Sequence, residues 1–536
     1  MNSKPQKKVI SRISAIDLGT NSFHAVIVDI YNDGSFYTID KLKEMVLLAE
    51  KGIGDRLSEG AMNRGIEALQ KIKTLSDHQG AERILAYATS AIREAENGGD
   101  FIQRAIDEVG VKINAIPGRM EAELIGYAVR HGVRLGEQTV MMVDIGGGSV
   151  EFILGNRETF YYLTSKKIGV ARMTADIVNN DPLKPEDIQA LHKHYRKQLS
   201  EVAQSFAMHR TNTIIGSSGT MQNIALMISG MNGLGTNLSL NEMVFTNKQF
   251  FQLYERMIPM NPEERLKVKG LDEKRVDIIP AGLVLVDYLI RQFGIMQIKI
   301  SDQALREGIV LRYIKKELAD LKLLPEDSDP RKRSIFELLR KCDWHEEHST
   351  HVAHIALKMF DSFQDELGLD NHDRELLTYA AYLHDIGYYI SHRKHHKHAL
   401  YLIRNADLRG FREEEVEIIA NVARYHRRST PKSRHKYYSR LPSEIKKRIR
   451  QLSGILRVAD GLDRSHYQNV RKIDIRTNND IITLGLTTEE DPQLEIWGAM
   501  RKSELFEETT SRSLQIVSDE ILGERSLPGN RTMDGG

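Results

Sequence analysis

A single cysteine, Cys342, stands among 536 residues. A disulfide framework within the chain is therefore excluded, and a reducing cytoplasm fits. An excess of one charge is also missing. Seventy-five Lys and Arg face 74 Asp and Glu, leaving a net +1, so overall charge gives no case for nucleic-acid binding. Long apolar runs are absent as well: no stretch approaches the ~18 residues that a membrane span needs. The basic N-terminus leads into an apolar run, but Asp17 and Gly19 interrupt it, unlike a signal peptide. What remains is the composition of a soluble globular protein, 41% hydrophobic and 28% charged. The length predicts three or four domains.

The stretch MMVDIGGGSVEFILG (141–155) places Asp144 at the end of an apolar strand and follows it with Gly146, Gly147 and Gly148. A plain hairpin turn would explain it. A phosphate cradle explains it better, because chain without Cβ atoms lets backbone N–H groups close on an anion. ISAIDLGTNSFHAVIVDI (13–30) repeats the layout 127 residues earlier, with Asp17, Gly19 and Ser22 at the spacing of Asp144, Gly146 and Ser149. Glu151 of the second copy aligns with His24 of the first, so the pair of walls is asymmetric. TIIGSSGTMQNIALMI (213–228) adds a third Gly/Ser loop, leading from a strand into a helix N-terminus that favours anions. Three such loops predict a two-lobed α/β unit gripping phosphate in a cleft. Gly19, Thr20, Asn21, Ser22, Gly146, Gly147, Gly148, Ser149, Ser218, Gly219 and Thr220 are the candidate cradle. Arg93 suits a bidentate phosphate contact, and Arg275 is a weaker candidate. Asp144 and Glu151 suit Mg²⁺, a hard cation that takes oxygen ligands.

The chain divides by composition into lobe I (1–125), lobe II (126–320), a histidine-rich helical domain (335–468), a small α+β module (469–520) and a tail (521–536) expected to be disordered. SDQALREGIVLRYIKKELADL (301–321) reads as one closing helix and LPEDSDPRKRS (324–334) as a linker. Eleven of the 19 histidines fall between His345 and His426. IDIRTNNDIITLGL reads as two strands about an Asn-Asn-Asp turn, followed by one helix and a last strand.

The segments DLGTNSFH (17–24), ATSAIREAEN (88–97), IPGRMEAELIGYAV (116–129), DIGGGSVEF (144–152), GSSGT (216–220) and SDQALREGIV (301–310) together resemble the exopolyphosphatase/guanosine pentaphosphate phosphohydrolase family of the actin, Hsp70 and sugar-kinase superfamily. The resemblance implies two ribonuclease-H-like lobes, an actin-like α/β fold, and Mg²⁺-dependent removal of terminal phosphate. The substrate it implies is polyphosphate or, alternatively, guanosine pentaphosphate (pppGpp). It also implies a cytoplasmic homodimer with no membrane or nucleic-acid partner. The base that activates water falls on Glu121. The neighbouring Pro117, Met120 and Glu123 depart from the family pattern.

Beyond the linker, EHSTHVAHIALKMF (347–360), the His384-Asp385 pair, His426 and ILRVADGLDRS (455–465) give the order H…HD…D on helices. That order resembles the HD metal-dependent phosphohydrolase superfamily. It implies His348, His384, Asp385 and Asp460 as ligands of Mn²⁺ or another divalent transition metal, with His398 and His426 as candidates for a second ion. The competing expectation is a helical scaffold that carries its histidines without metal. For the whole chain the rivals are a kinase of the same superfamily, for which no acceptor motif is evident, and a non-catalytic polyphosphate or alarmone sensor.

Overall fold

The computed structural model describes residues 8–48, 56–232, 240–317, 329–342 and 344–521. It resolves into two compact units, divided after Pro330. Among the described residues no helix is long and apolar enough to cross a membrane.

Two mixed sheets build the first unit. One is formed by β1 (Val9–Leu18), β2 (Ser22–Tyr31), β3 (Phe36–Met45), β4 (Arg83–Ala88) and β5 (Ile113–Ala115), in the order β3-β2-β1-β4-β5. The other contains β6 (Val140–Ile145), β7 (Val150–Gly155), β8 (Phe160–Lys166), β9 (Thr213–Ser217), β10 (Val244–Thr246) and β11 (Gln297–Ile300), in the order β10-β11-β9-β6-β7-β8. Read outward from the first hairpin, the second sheet repeats the first and adds β10 at its edge. This is the actin-like, two-lobed α/β architecture, and the duplication holds at the level of register. Asp17 pairs with His24 across β1 and β2, and Asp144 pairs with Glu151 across β6 and β7. Gly19 N donates to Ser22 O at 3.2 Å, as Gly146 N does to Ser149 O at 3.1 Å.

Strands with two buried faces read as continuous apolar runs. Along β6, Met141, Val143 and Ile145 enter one core, while Met142 enters another. That second core takes residues from both sheets, Ile13 and Val26 with Met142 and Ile153. It packs them on the helices Gly118–Gly132 and Leu305–Glu317. The junction of the lobes is therefore solid hydrophobic core, and it fixes the helix that carries Glu121. The closing helix ends its described length at Glu317, and 318–321 lie outside the described residues.

Helices surround one continuous core in the second unit, and the small sheet shares that core. β12 (Val470–Thr477), β13 (Ile481–Thr488) and β14 (Ser513–Ile521) follow in that order. Val470, Leu484 and Leu514 pack in the same cluster as Val352, Leu377 and Leu456. The Asn-Asn-Asp turn forms, with Asn478 Oδ1 accepting from Asp480 N and Ile481 N. Two expectations need correction. Of the expected linker, 324–328 lies outside the described residues, and its last five residues open the helix Pro330–Lys341. The single helix expected after β13 is two, Gln493–Met500 and Glu504–Thr510. The expected tail lies outside the described residues from 522 onward.

Candidate functional site

The three Gly/Ser loops of the first unit converge. A Cβ on Gly147 would stand 3.4 Å from Asn21 Nδ2 and from Thr20 Cβ, so the two hairpin loops already touch. Thr20 Oγ1 meets Ser90 Oγ at 3.3 Å. The carbonyls of the triple glycine are committed to the segment that follows β8. Gly146 O, Gly147 O and Gly148 O accept from the amides of Val170, Ala171 and Gly169, at 3.0, 2.9 and 3.2 Å. The Gly146 N–H is itself given to Ser149 O, so an anion-binding nest here would use the N–H groups of Gly147 and Gly148. In the third loop Ser218 and Thr220 donate their hydroxyls to Ile145 O at 3.0 and 3.1 Å, tying it to the second hairpin. Ser218 holds a φ of 71°, the left-handed region in which a residue with a Cβ is strained. Arg275 lies against this loop, with Nη1 3.4 Å from Thr220 Oγ1.

Four carboxylates gather below the loops. Glu121 is 6% exposed, Asp144 8% and Glu151 1%. Arg93 Nη1 donates to Glu121 Oε2 at 2.8 Å and to Ile116 O at 2.8 Å. Burial raises the Glu121 carboxyl to about 7 even though Arg93 works against it. Asp144, which accepts from Ser217 Oγ at 2.6 Å, is pushed to about 6, again by burial. Glu151 accepts from Ser165 Oγ at 2.7 Å and is held well above its ordinary value by burial and by Glu121 and Asp144. Asp17, the register copy of Asp144, is raised to about 7 by burial and by Glu121. Carboxyls all raised by burial, and in Asp17, Glu121 and Glu151 by neighbouring acids as well, are a fit for a divalent cation, which would satisfy them together.

Sequence reasoning aligned Asp17 with Asp144 without placing it in the site; the 127-residue repeat was signal enough. It missed the charge chain behind Arg93. Arg172 Nη2 reaches Glu94 Oε2 at 2.8 Å while its Nε donates to Gly148 O at 3.1 Å. Lys167 Nζ lies 3.1 Å from Glu94. Nothing local marks Arg172, because only folding brings its helix against the Arg93 helix.

The comparisons with known proteins agree with this geometry. The Ppx/GppA phosphatase family matches residues 26–317, more than half of the chain, and its domain III matches residues 331–497. The chain belongs to the Ppx/GppA phosphatase family. It is accordingly a phosphoanhydride hydrolase. Among solved structures it is similar to an exopolyphosphatase from Cytophaga hutchinsonii, at 29% identity and a TM-score of 0.54, over 58% of this chain and 99% of that one. The Aquifex aeolicus Ppx/GppA family member is 27% identical, with a TM-score of 0.49, over 57% of this chain and 98% of that one.

Within the domain III region of this Ppx/GppA phosphatase a second polar cluster is buried. His348 sits on the helix Glu346–Leu367, and His384 ends the helix Asn371–Leu383. His426 ends the helix Glu413–Tyr425, and Asp460 lies in the last turn of the helix Ser443–Gly461. Their outer ring nitrogens are occupied. His384 Nδ1 lies 2.7 Å from Ala381 O, His426 Nδ1 2.7 Å from Ala423 O, and His348 Nδ1 2.7 Å from Asp463 Oδ2. A ring that donates from Nδ1 presents a lone pair at Nε2. These Nε2 atoms face one another, His384 to His348 at 3.2 Å and His395 to His426 at 3.4 Å. Two facing acceptors call for a proton or a cation between them. Asp385 joins the pairs: Oδ2 is 3.5 Å from His384 Nε2 and 3.7 Å from His348 Nε2, and Oδ1 is 3.2 Å from His395 Nε2 and 3.5 Å from His426 Nε2. Asp460 Oδ1 lies 3.6 and 3.7 Å from His384 and His348. Burial works against charge on His348, but Asp460 and Asp463 overcome it and raise the ring to about 9. His426, also fully buried, is driven well below its ordinary value. Convergent imidazoles with fixed tautomers and two carboxylates suit divalent transition metals.

One residue of the expected second set is replaced. His398 does not enter the cluster; His395, one turn earlier and at the start of its helix, takes that place beside His426. In a run reading HRKHHKH, spacing does not say which imidazole turns inward. Burial does, since His395 is 1% exposed. Gly387 matters here for space rather than for backbone freedom. A Cβ there would stand 2.0 Å from His395 O and 2.7 Å from Ala399 N, so the absence of a side chain lets the His395 helix close on the His384-Asp385 corner. Asp463, His466 and Lys502 were missed. His466 stacks on His348 at 3.7 Å, and Lys502 Nζ pairs with Asp460 Oδ2.

Proposed function

We propose that the N-terminal unit hydrolyses the terminal phosphoanhydride of inorganic polyphosphate. The observation that carries this reading is Glu121, a buried carboxyl at the meeting of three anion loops with its pKa raised to about 7. A base works best when its pKa lies near the working pH. Glu121 takes the proton of the attacking water, and Arg93, already on Glu121, orients it and offers its guanidinium edge to the phosphoryl oxygens. The amides of the Thr20-Asn21 and Gly147-Gly148 turns, with the Ser218–Thr220 loop and Arg275, hold the phosphates in line. Mg²⁺ on Asp144 and Glu151 would neutralise charge on the transferred group. The Cytophaga hutchinsonii neighbour is named an exopolyphosphatase, which favours polyphosphate over pppGpp. Phosphate release from long polyphosphate and from pppGpp, measured side by side on the purified chain, tests the assignment. A higher kcat/KM for polyphosphate is expected. A higher value for pppGpp would reverse it, and release from neither would support a binding role.

The cluster of the C-terminal unit we assign as a two-metal centre for Mn²⁺ or a similar ion. His348, His384, Asp460 and Asp385 Oδ2 would hold one ion, and His395, His426 and Asp385 Oδ1 the other. What supports it is the fixed outward bonding of every Nδ1 and the carboxylate shared between the two histidine pairs. Metal analysis of the full chain before and after incubation with Mn²⁺ tests it.

A further inference from the structure

Arg93 stands between two acids, and the chemistry proposed for it uses one. Nη1 donates to Glu121 Oε2 and to Ile116 O, each at 2.8 Å. Nη2 faces Glu94, the last residue of the helix Ser90–Glu94, at 3.9 Å from Oε1. That separation is too long for a hydrogen bond. Glu94 Oε1 is itself buried and has no hydrogen-bond partner among the described residues. A buried carboxylate oxygen without a donor is costly, and a shift of roughly 1 Å by the guanidinium would supply one.

Glu94 is held from the other lobe. Its Oε2 accepts from Arg172 Nη2 at 2.8 Å and lies 3.1 Å from Lys167 Nζ. Lys167 is 67% exposed, so its pairing is weak. Arg172 is 13% exposed and is fixed along its length. Its backbone N–H and its Nε donate to Gly147 O and Gly148 O, both at 3.1 Å. Gly169, which caps the Arg172 helix, brings that helix onto the same turn: a Cβ there would stand 2.4 Å from Gly147 O. The planar fork of Arg172 thus spans the glycine turn of lobe II and the acid beside Arg93 in lobe I.

We infer that Glu94 and Arg172 are positioning residues for Arg93. Arg172 takes its place from the glycine turn and fixes Glu94. Glu94 Oε1 receives Arg93 Nη2 as the guanidinium turns from Glu121 to the transferred phosphoryl group. The guanidinium and the Gly147 and Gly148 amides are thereby set against one another across the two lobes, as an in-line transfer requires. Glu94 and Arg172 act on the reaction through Arg93. The inference rests on Arg93 as a phosphoryl contact, and the two can fail separately.

The test is steady-state phosphate release by the full chain at saturating Mg²⁺, with the better of polyphosphate and pppGpp as substrate. Arg93→Met is measured first and should lower kcat. Glu94→Gln and Arg172→Met should each lower kcat by about ten- to hundredfold, the cost of a misplaced contact. KM should stay within about twofold, the mark of an interaction made in the transition state. In a chain already carrying Arg93→Met, each should change kcat by less than about twofold, because residues that act through one another are not additive. A purely structural role would not produce that dependence. Glu94→Gln keeps the shape of the parent side chain, so it decides the matter if Arg172→Met does not fold. Parent-like kcat in Arg93→Met overturns the role of Arg93 on which the inference rests. Parent-like kcat in Glu94→Gln, an undiminished loss in the Arg93→Met background, or a loss confined to KM overturns this inference alone.

Discussion

Replacing Glu121 by glutamine should make the first unit more stable and less active at once. In the folded chain the carboxyl rises from 4.5 to about 7, chiefly because it is buried. At ~1.4 kcal/mol per pH unit, holding it ionised costs the fold roughly 3 kcal/mol. The sign follows from linkage: a carboxyl raised on folding leaves stability intact below pH 4.5 and loses it as the pH climbs through about 7. Glutamine stays neutral throughout. Arg93 keeps an amide oxygen in place of the carboxylate and retains Ile116 O at 2.8 Å. The variant should therefore match the parent near pH 5 and exceed it by up to roughly 3 kcal/mol near pH 8.5, with metal chelated. Turnover should fall by roughly 10²–10⁴-fold, the range for a lost general base. Both tryptophans, Trp344 and Trp497, belong to the second unit. Hydrogen exchange of β6 and β7 is thus a better probe of the first unit than fluorescence. A stability difference that does not grow with pH would refute the burial argument, and near-normal turnover would remove Glu121 from the chemistry.

Activity of the parent should rise with pH through about 7 as Glu121 ionises; a profile flat from pH 5.5 to 8 would count against Glu121 as base. Asp144→Asn or Glu151→Gln should shift Mg²⁺ activation to higher concentration, each by about tenfold or more, and an unmoved activation curve in both would place the metal elsewhere. The pair His384→Ala with Asp385→Ala should strip the C-terminal unit of bound Mn²⁺ while phosphate release from polyphosphate partly survives. Complete loss of release in the folded variant would mean that the two centres are coupled. Gly387→Ala should press a Cβ into the His395 backbone and cost about 1–3 kcal/mol. The accompanying loss of metal affinity is read by competition with a chelator; unchanged affinity would show that the corner has room.

The sequence by itself determined the parts that are local. Each Gly/Ser loop is a short run in which glycine or serine follows an apolar strand, so the turns at Gly146–Gly148, Gly19 and 216–220 were legible without coordinates. The 127-residue repeat was legible for the same reason, and it carried Asp17 with it. Periodicity marked the helices, and the resemblance carried by the order H…HD…D pointed to the second cluster. Tertiary structure decided everything that depends on which faces meet. Four acids come together only because the two sheets share a core, and burial, not residue type, is the main cause that raises their pKa values. Arg172 and Lys167 join Glu94 only when the two lobes close on one another. His395 displaces His398 because one side of a helix packs against a glycine corner, and no run of histidines encodes that side. Lys502 reaches back to Asp460, 42 positions earlier in the chain. Contacts of that range are set by the packing of a common core, which a pattern read along the chain does not contain.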